Sequence, residues 1–125
     1  MSLVLDAGAL IAIDRNDGMV RDLVETAHRL GHRVVTTAPV VGQAWRDGRR
    51  QVRLARALTT VDVLPVELAD AKDAGVLLAR SCTSDVVDAL VTLLVRPGDE
   101  VVTSDPDDVV LLLTSRRIVA RVRPV

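Results

Sequence analysis

The sequence predicts an α/β fold in which a parallel-rich sheet carries helices on both faces. Three observations predict it. Short β-branched runs alternate with longer stretches of helical periodicity. Their order reads β-α-α-β-α-α-β-α-α-β-α-β, and helical crossovers join neighbouring parallel strands. The 125 residues, 49% of them hydrophobic, suit one domain spanning 1–125 with a core of its own.

Each element has a local cause. Residues 2–6 (SLVLD) are an apolar strand ending in an acid. Residues 7–13 form a short helix. Residues 17–30 form an amphipathic helix with Val20, Leu23, Val24, Ala27 and Leu30 on one face, and Gly31 terminates it. Residues 34–37 are the next strand. Pro39 suits a first helical turn, so a helix is expected over 40–46, up to Gly48, followed by another over 49–58.

Residues 61–66 (VDVLPV) read as a strand, with Pro65 confining it to an edge or an end. A helix covers 67–80. Ser84 is the expected N-cap of a helix over 85–95. Pro97-Gly98 turns into a strand over 100–103. A helix over 106–114, capped by Ser104 or Asp105, precedes a last strand over 118–122. Leu68, Val76, Leu77, Leu90, Leu94, Leu111 and Leu112 are expected to pack helices onto the sheet.

Composition excludes several classes. The longest apolar runs are too short to span a membrane, and no basic region precedes the apolar N-terminus, so no leader is expected. A single cysteine, Cys82, forms no internal disulfide, which points to a reducing cytoplasm. Lys72 is the only lysine among 16 basic residues. Trp45 is the only aromatic residue, which argues against modules that stack bases on aromatic platforms. Trp45 itself is expected as a core or dimer-interface anchor. No glycine-rich phosphate loop or Ser-His-Asp arrangement is present. His28 and His32, expected to be exposed, have no cysteine partner for zinc.

The acids carry the functional signal. Asp6 follows one strand and Asp105 another, and open α/β sheets bind ligands beyond the carboxyl ends of their strands. Asp85 and Asp88 begin a helix. Capping offers each a second, purely structural explanation, but Asp88 lies on an otherwise apolar helix, where an unpaired carboxylate is costly. If those strands are neighbours the carboxylates gather in one place and call for a bound cation, and an all-oxygen site suits Mg²⁺ or Mn²⁺.

Leu3-Val4-Leu5-Asp6-Ala7, Ser84-Asp85-Val86-Val87-Asp88-Ala89-Leu90 and Val102-Thr103-Ser104-Asp105, in that order, resemble the PIN domain, in its small single-domain VapC toxin type. The resemblance implies a three-layer α/β/α sandwich and a Mg²⁺- or Mn²⁺-dependent endoribonuclease. It implies a small antitoxin as partner and a homodimer as assembly. By position, Asp6, Asp88 and Asp105 match the metal ligands, and Asp85 and Asp108 assist around them. The family's second acid, normally glutamate, aligns with Gln43. An amide can still hold a metal-bound water but has lost the charge. A PIN-fold protein that binds RNA or a partner without cleaving is therefore the rival expectation. A phosphoacceptor receiver is a third, disfavoured because Lys72 falls inside a helix rather than after a late strand.

Residues 46–56 (RDGRRQVRLAR) add a candidate RNA contact. Arg46, Arg49 and Arg53 are expected to meet backbone phosphates, with Arg49, Arg53 and Arg56 on one helical face and Val52, Ala55 and Leu58 packed inward. A solvated face or an acidic antitoxin tail are the alternatives.

Overall fold

A computed structural model describes residues 1–125. The elements are β1 (Ser2–Leu5), α1 (Ala7–Asp14), α2 (Gly18–Arg29), β2 (Arg33–Thr37), α3 (Ala38–Ala44), α4 (Val52–Leu58), β3 (Asp62–Leu64), α5 (Leu68–Ser81), α6 (Val86–Leu93), β4 (Glu100–Thr103), α7 (Pro106–Ser115) and β5 (Arg121–Pro124). The expected order of elements holds throughout. No helix is long and apolar enough to cross a membrane.

The sheet order is β3-β2-β1-β4-β5, and every pair is parallel. From β1 the chain steps outward through β2 to β3, then crosses to the other side for β4 and β5. Right-handed crossovers on either side of that reversal put α1–α4 on one face and α5–α7 on the other. The order in which strands are added reverses between β1 and β4. In open sheets of this kind, ligands bind beyond the strand ends at such a reversal.

Burial follows the pattern. Val4, Leu5, Val101 and Val102 of the central strands are wholly buried, as doubly covered parallel strands require. Leu10 and Val20 seal one face, Val91, Val109 and Leu113 the other. A second cluster of Ala74, Leu77, Ala89, Leu90 and Leu112 joins α5, α6 and α7. The Arg116 guanidinium donates to the carbonyls of Thr92 and Val95, tying the end of α7 to the end of α6.

Several expectations shift. Leu68, Val76 and Leu111 are at least half exposed, at 72%, 53% and 50%, because α5 and α7 turn those positions away from the sheet. The cap of α6 is Asp85, not Ser84: its Oδ1 accepts the N–H groups of Val87 and Asp88. β3 shrinks to three residues at the sheet edge before Pro65. The last strand begins at Arg121 rather than 118. Gly98 N–H bonds the Val119 carbonyl and Arg121 N–H bonds that of Asp99, so pairing starts only there. Arg123 then meets Glu100 at 2.7 Å and fixes the register.

The helix expected over 49–58 starts at Val52. Gln51 is the cause. Its Oε1 accepts the N–H groups of Arg46 and Asp47, and its amide donates to the Ala44 carbonyl, holding 45–51 as a closed loop. Leu54 is consequently the buried residue of α4, and Val52 is exposed. Trp45 is not in the core. Its ring lies over Gly48, where any added Cβ would come within 2.9 Å of it. His28 is exposed as expected, whereas His32 is partly covered.

Candidate metal centre

Asp6 sits where β1 hands over to α1. It is 5% exposed and is the N-cap of α1. Oδ1 accepts Ala9 N–H at 3.0 Å, satisfying one of the free donors at the helix start. Oδ2 accepts the Thr103 hydroxyl at 2.5 Å and Ser104 N–H at 3.2 Å, both from the end of β4. Asp6 N–H continues the ladder to the Val102 carbonyl. The carboxylate therefore laces the two central strands together at their carboxyl ends.

Asp88 lies in the first turn of α6, Asp105 precedes α7, and Asp108 lies in the first turn of α7. One carboxylate oxygen from each of these three comes within 4.8 Å of the others. Asp88 is partly buried, and its Oδ2 is buried with no hydrogen-bond partner. Burial first, then the adjacent Asp105 carboxyl and the charges of Asp85 and Asp6, push its carboxyl up from 3.8 to about 7. Asp108 is also raised, chiefly by the charge of Asp105.

A buried acceptor without a donor is rare and costly. Here the same carboxylate converges with two others, all hard oxygen donors, and the set fits a divalent cation such as Mg²⁺ or Mn²⁺. Asp88, Asp105 and Asp108 could thus hold a metal ion. The expected trio is Asp6, Asp88 and Asp105; the carboxylate oxygens within 4.8 Å of one another are those of Asp88, Asp105 and Asp108. Asp6 contributes hydrogen bonds to the frame, and Asp108 stands with the other two. The sequence hinted at Asp108 only as an acid one helical turn past Asp105.

The remaining candidates are distributed. Asp85 caps α6, with its Oδ1 taken by two backbone donors. Gln43 is exposed near the end of α3 and belongs to no hydrogen-bonded network. Arg46 is exposed, and its Nη1 donates to the carbonyls of Gly42 and Trp45 at the end of α3. Arg49 is in the loop and Arg53 in α4, so Arg46, Arg49 and Arg53 do not share a helix. Arg53 and Arg56 line an open groove between α2 and α4, together with Arg21, Val24 and His28.

Sequence reasoning did not single out Thr103 and Gly8. Thr103 is wholly buried and bridges Asp6 to Asp105, whose N–H it accepts at 2.9 Å. A threonine closing an apolar strand two residues before an acid was the available signal.

No family model and no curated protein matches the sequence. Among solved structures, the chain is similar to one in the crystal structure of VapBC2 from Rickettsia felis bound to a DNA fragment from their promoter. The TM-score is 0.65 at 11% identity, over 98% of each chain. The likeness is one of fold, and it agrees with the all-parallel sheet and its two helical layers: the chain has a three-layer, PIN-like α/β/α fold.

Proposed function

We propose that this chain is a Mg²⁺- or Mn²⁺-dependent endoribonuclease and the toxin half of a toxin–antitoxin pair. The observation that carries the reading is the convergence of the Asp88, Asp105 and Asp108 carboxylates at the switch point of the sheet, with one Asp88 oxygen buried and unpartnered. The likeness in fold to a chain of a VapBC2 complex supports the toxin assignment and an antitoxin as partner.

A bound divalent ion supplies a hydroxide nucleophile and stabilises charge on the phosphodiester. The protein's part is to hold that ion and the RNA. Asp88 and Asp105, with Asp108, bind the cation. Asp6 keeps the Thr103–Asp105 segment in place, and Asp85 fixes the first turn of α6. Gln43 orients a water or the strand being cut. Arg49 and Arg53, with the free donors of Arg46, meet backbone phosphates through planar forks. The exposed Leu68 and Val76 on α5 offer an apolar face for a homodimer. The reducing cytoplasm remains the proposed compartment.

The test is cleavage of a mixed RNA in Mg²⁺, Mn²⁺ or EDTA, beside Asp88→Asn. Metal-dependent cleavage lost in Asp88→Asn is expected. Gln43 motivates a second reading, a PIN-like protein that binds without cutting. It predicts RNA or partner binding unaffected by EDTA, and cleavage only after Gln43→Glu.

A further inference from the structure

We propose that Gly8 is a positioning residue: its missing side chain is the seat of Ser104, and this contact sets where Asp105 stands. The inference rests on the metal-dependent reading above.

Gly8 lies in the first turn of α1, two residues after Asp6. A Cβ built there would come 2.4 Å from both Cβ and Oγ of Ser104 and 3.1 Å from its backbone nitrogen. Carbon atoms in contact sit roughly 3.5–4 Å apart, so an alanine would have to displace residue 104 by about 1 Å. Oγ can rotate away, but the Ser104 Cβ is fixed to the main chain and cannot. Alanine is also the better helix former, so local propensity does not call for glycine at this position. Space is the reason for it.

Ser104 occupies a sensitive place. Its N–H donates to Asp6 Oδ2. On one side is Thr103, whose hydroxyl bonds Asp6 and accepts the N–H of Asp105. On the other is Asp105 itself, one of the three converging carboxylates. Any push on Ser104 is passed to Asp105 through one peptide unit. Errors of about 1 Å in a reacting group's position cost on the order of a hundredfold.

The experiment compares Gly8→Ala, Ser104→Gly and the double variant. Two readouts are used on folded protein: amide exchange at Ser104 and Asp105 without metal, and Mn²⁺ affinity by calorimetry. Gly8→Ala is expected to speed exchange at both amides and weaken Mn²⁺ binding about tenfold. The double variant is expected to restore both, because glycine at 104 removes the obstructing side chain. Ser104→Gly alone should leave Mn²⁺ affinity within about twofold. Unchanged exchange in Gly8→Ala, or no rescue by Ser104→Gly, overturns the proposal. If Gly8→Ala unfolds, Gly8→Ser in the Ser104→Gly background, stable with normal exchange, still supports it, and rapid exchange there overturns it. If exchange behaves as expected but the parent binds no Mn²⁺, the positioning stands and the metal-dependent reading fails.

Discussion

Thr103 donates its hydroxyl to Asp6 across the junction of β4 and β1, and the same oxygen accepts the N–H of Asp105. One wholly buried side chain thus joins the acid at the end of β1 to one of the three converging acids. Thr103→Val keeps the shape and removes both bonds. It should destabilise the fold by about 1–3 kcal/mol, the usual cost of leaving buried polar groups unpaired. Urea denaturation checks this, and Thr103→Ser should recover most of the loss.

Asp88 gives a pH dependence with a definite sign. Its carboxyl is pushed up from 3.8 to about 7, chiefly by burial and then by Asp105 and its acidic neighbours. A group with a higher pKa folded than unfolded holds its proton more tightly in the folded state. Its contribution is present in full below pH 3.8, is lost as pH rises toward 7, and stays flat above. Melting temperature without metal should therefore fall across that window, and Asp88→Asn should flatten the fall.

The same substitution separates site from scaffold. At pH 8, Asp88→Asn removes a repelled charge, so the metal-free variant should be more stable than its parent. Mn²⁺ at about a hundred times its Kd should stabilise the parent by about 2.7 kcal/mol and the variant by much less. Thermal melts with and without Mn²⁺ check both directions. Asp6→Asn is a poorer probe. An amide there would set an N–H₂ against the Thr103 hydroxyl and Ser104 N–H, and loss of activity could follow from loss of structure.

Much of this was legible in the sequence for a physical reason. A doubly covered parallel strand is a short apolar run, and an acid just after it can only lie at the strand's carboxyl end. Asp6 and Asp105 are visible in that way. The loop over 45–51 was not, because Gln51 holds it with side-chain bonds to Ala44, Arg46 and Asp47 that no periodicity encodes. Asp108 has no such mark in the sequence, because its partners, Asp88 and Asp105, meet it only once α6 and α7 are packed side by side. The start of β5 depended on Asp99 and Gly98 pairing with a distant segment.

Gln43→Glu tests the amide in the acid's place. The side chain is exposed, so stability should move by less than about 0.5 kcal/mol. If Gln43 faces the ion's surroundings, the new charge should tighten Mn²⁺ binding about tenfold, the scale of effects from groups around a metal's ligands. Calorimetry reads the affinity, and an unchanged Kd would detach Gln43 from the site.

The arginines are tested by salt. Arg49 projects from a loop closed by Gln51, and Arg53 from the first turn of α4. Neither forms an ion pair in the structure, so their charge is available to an anion. Each phosphate contact on single-stranded RNA contributes about 0.7 to the slope of log K against log salt. Arg49→Ala with Arg53→Ala should therefore lower that slope by about 1.4 and weaken binding at low salt, while stability hardly changes. Binding of a non-cleavable oligonucleotide across a salt series measures it. An unchanged slope would mean that these two side chains only solvate the surface, and that RNA, if bound, is held elsewhere.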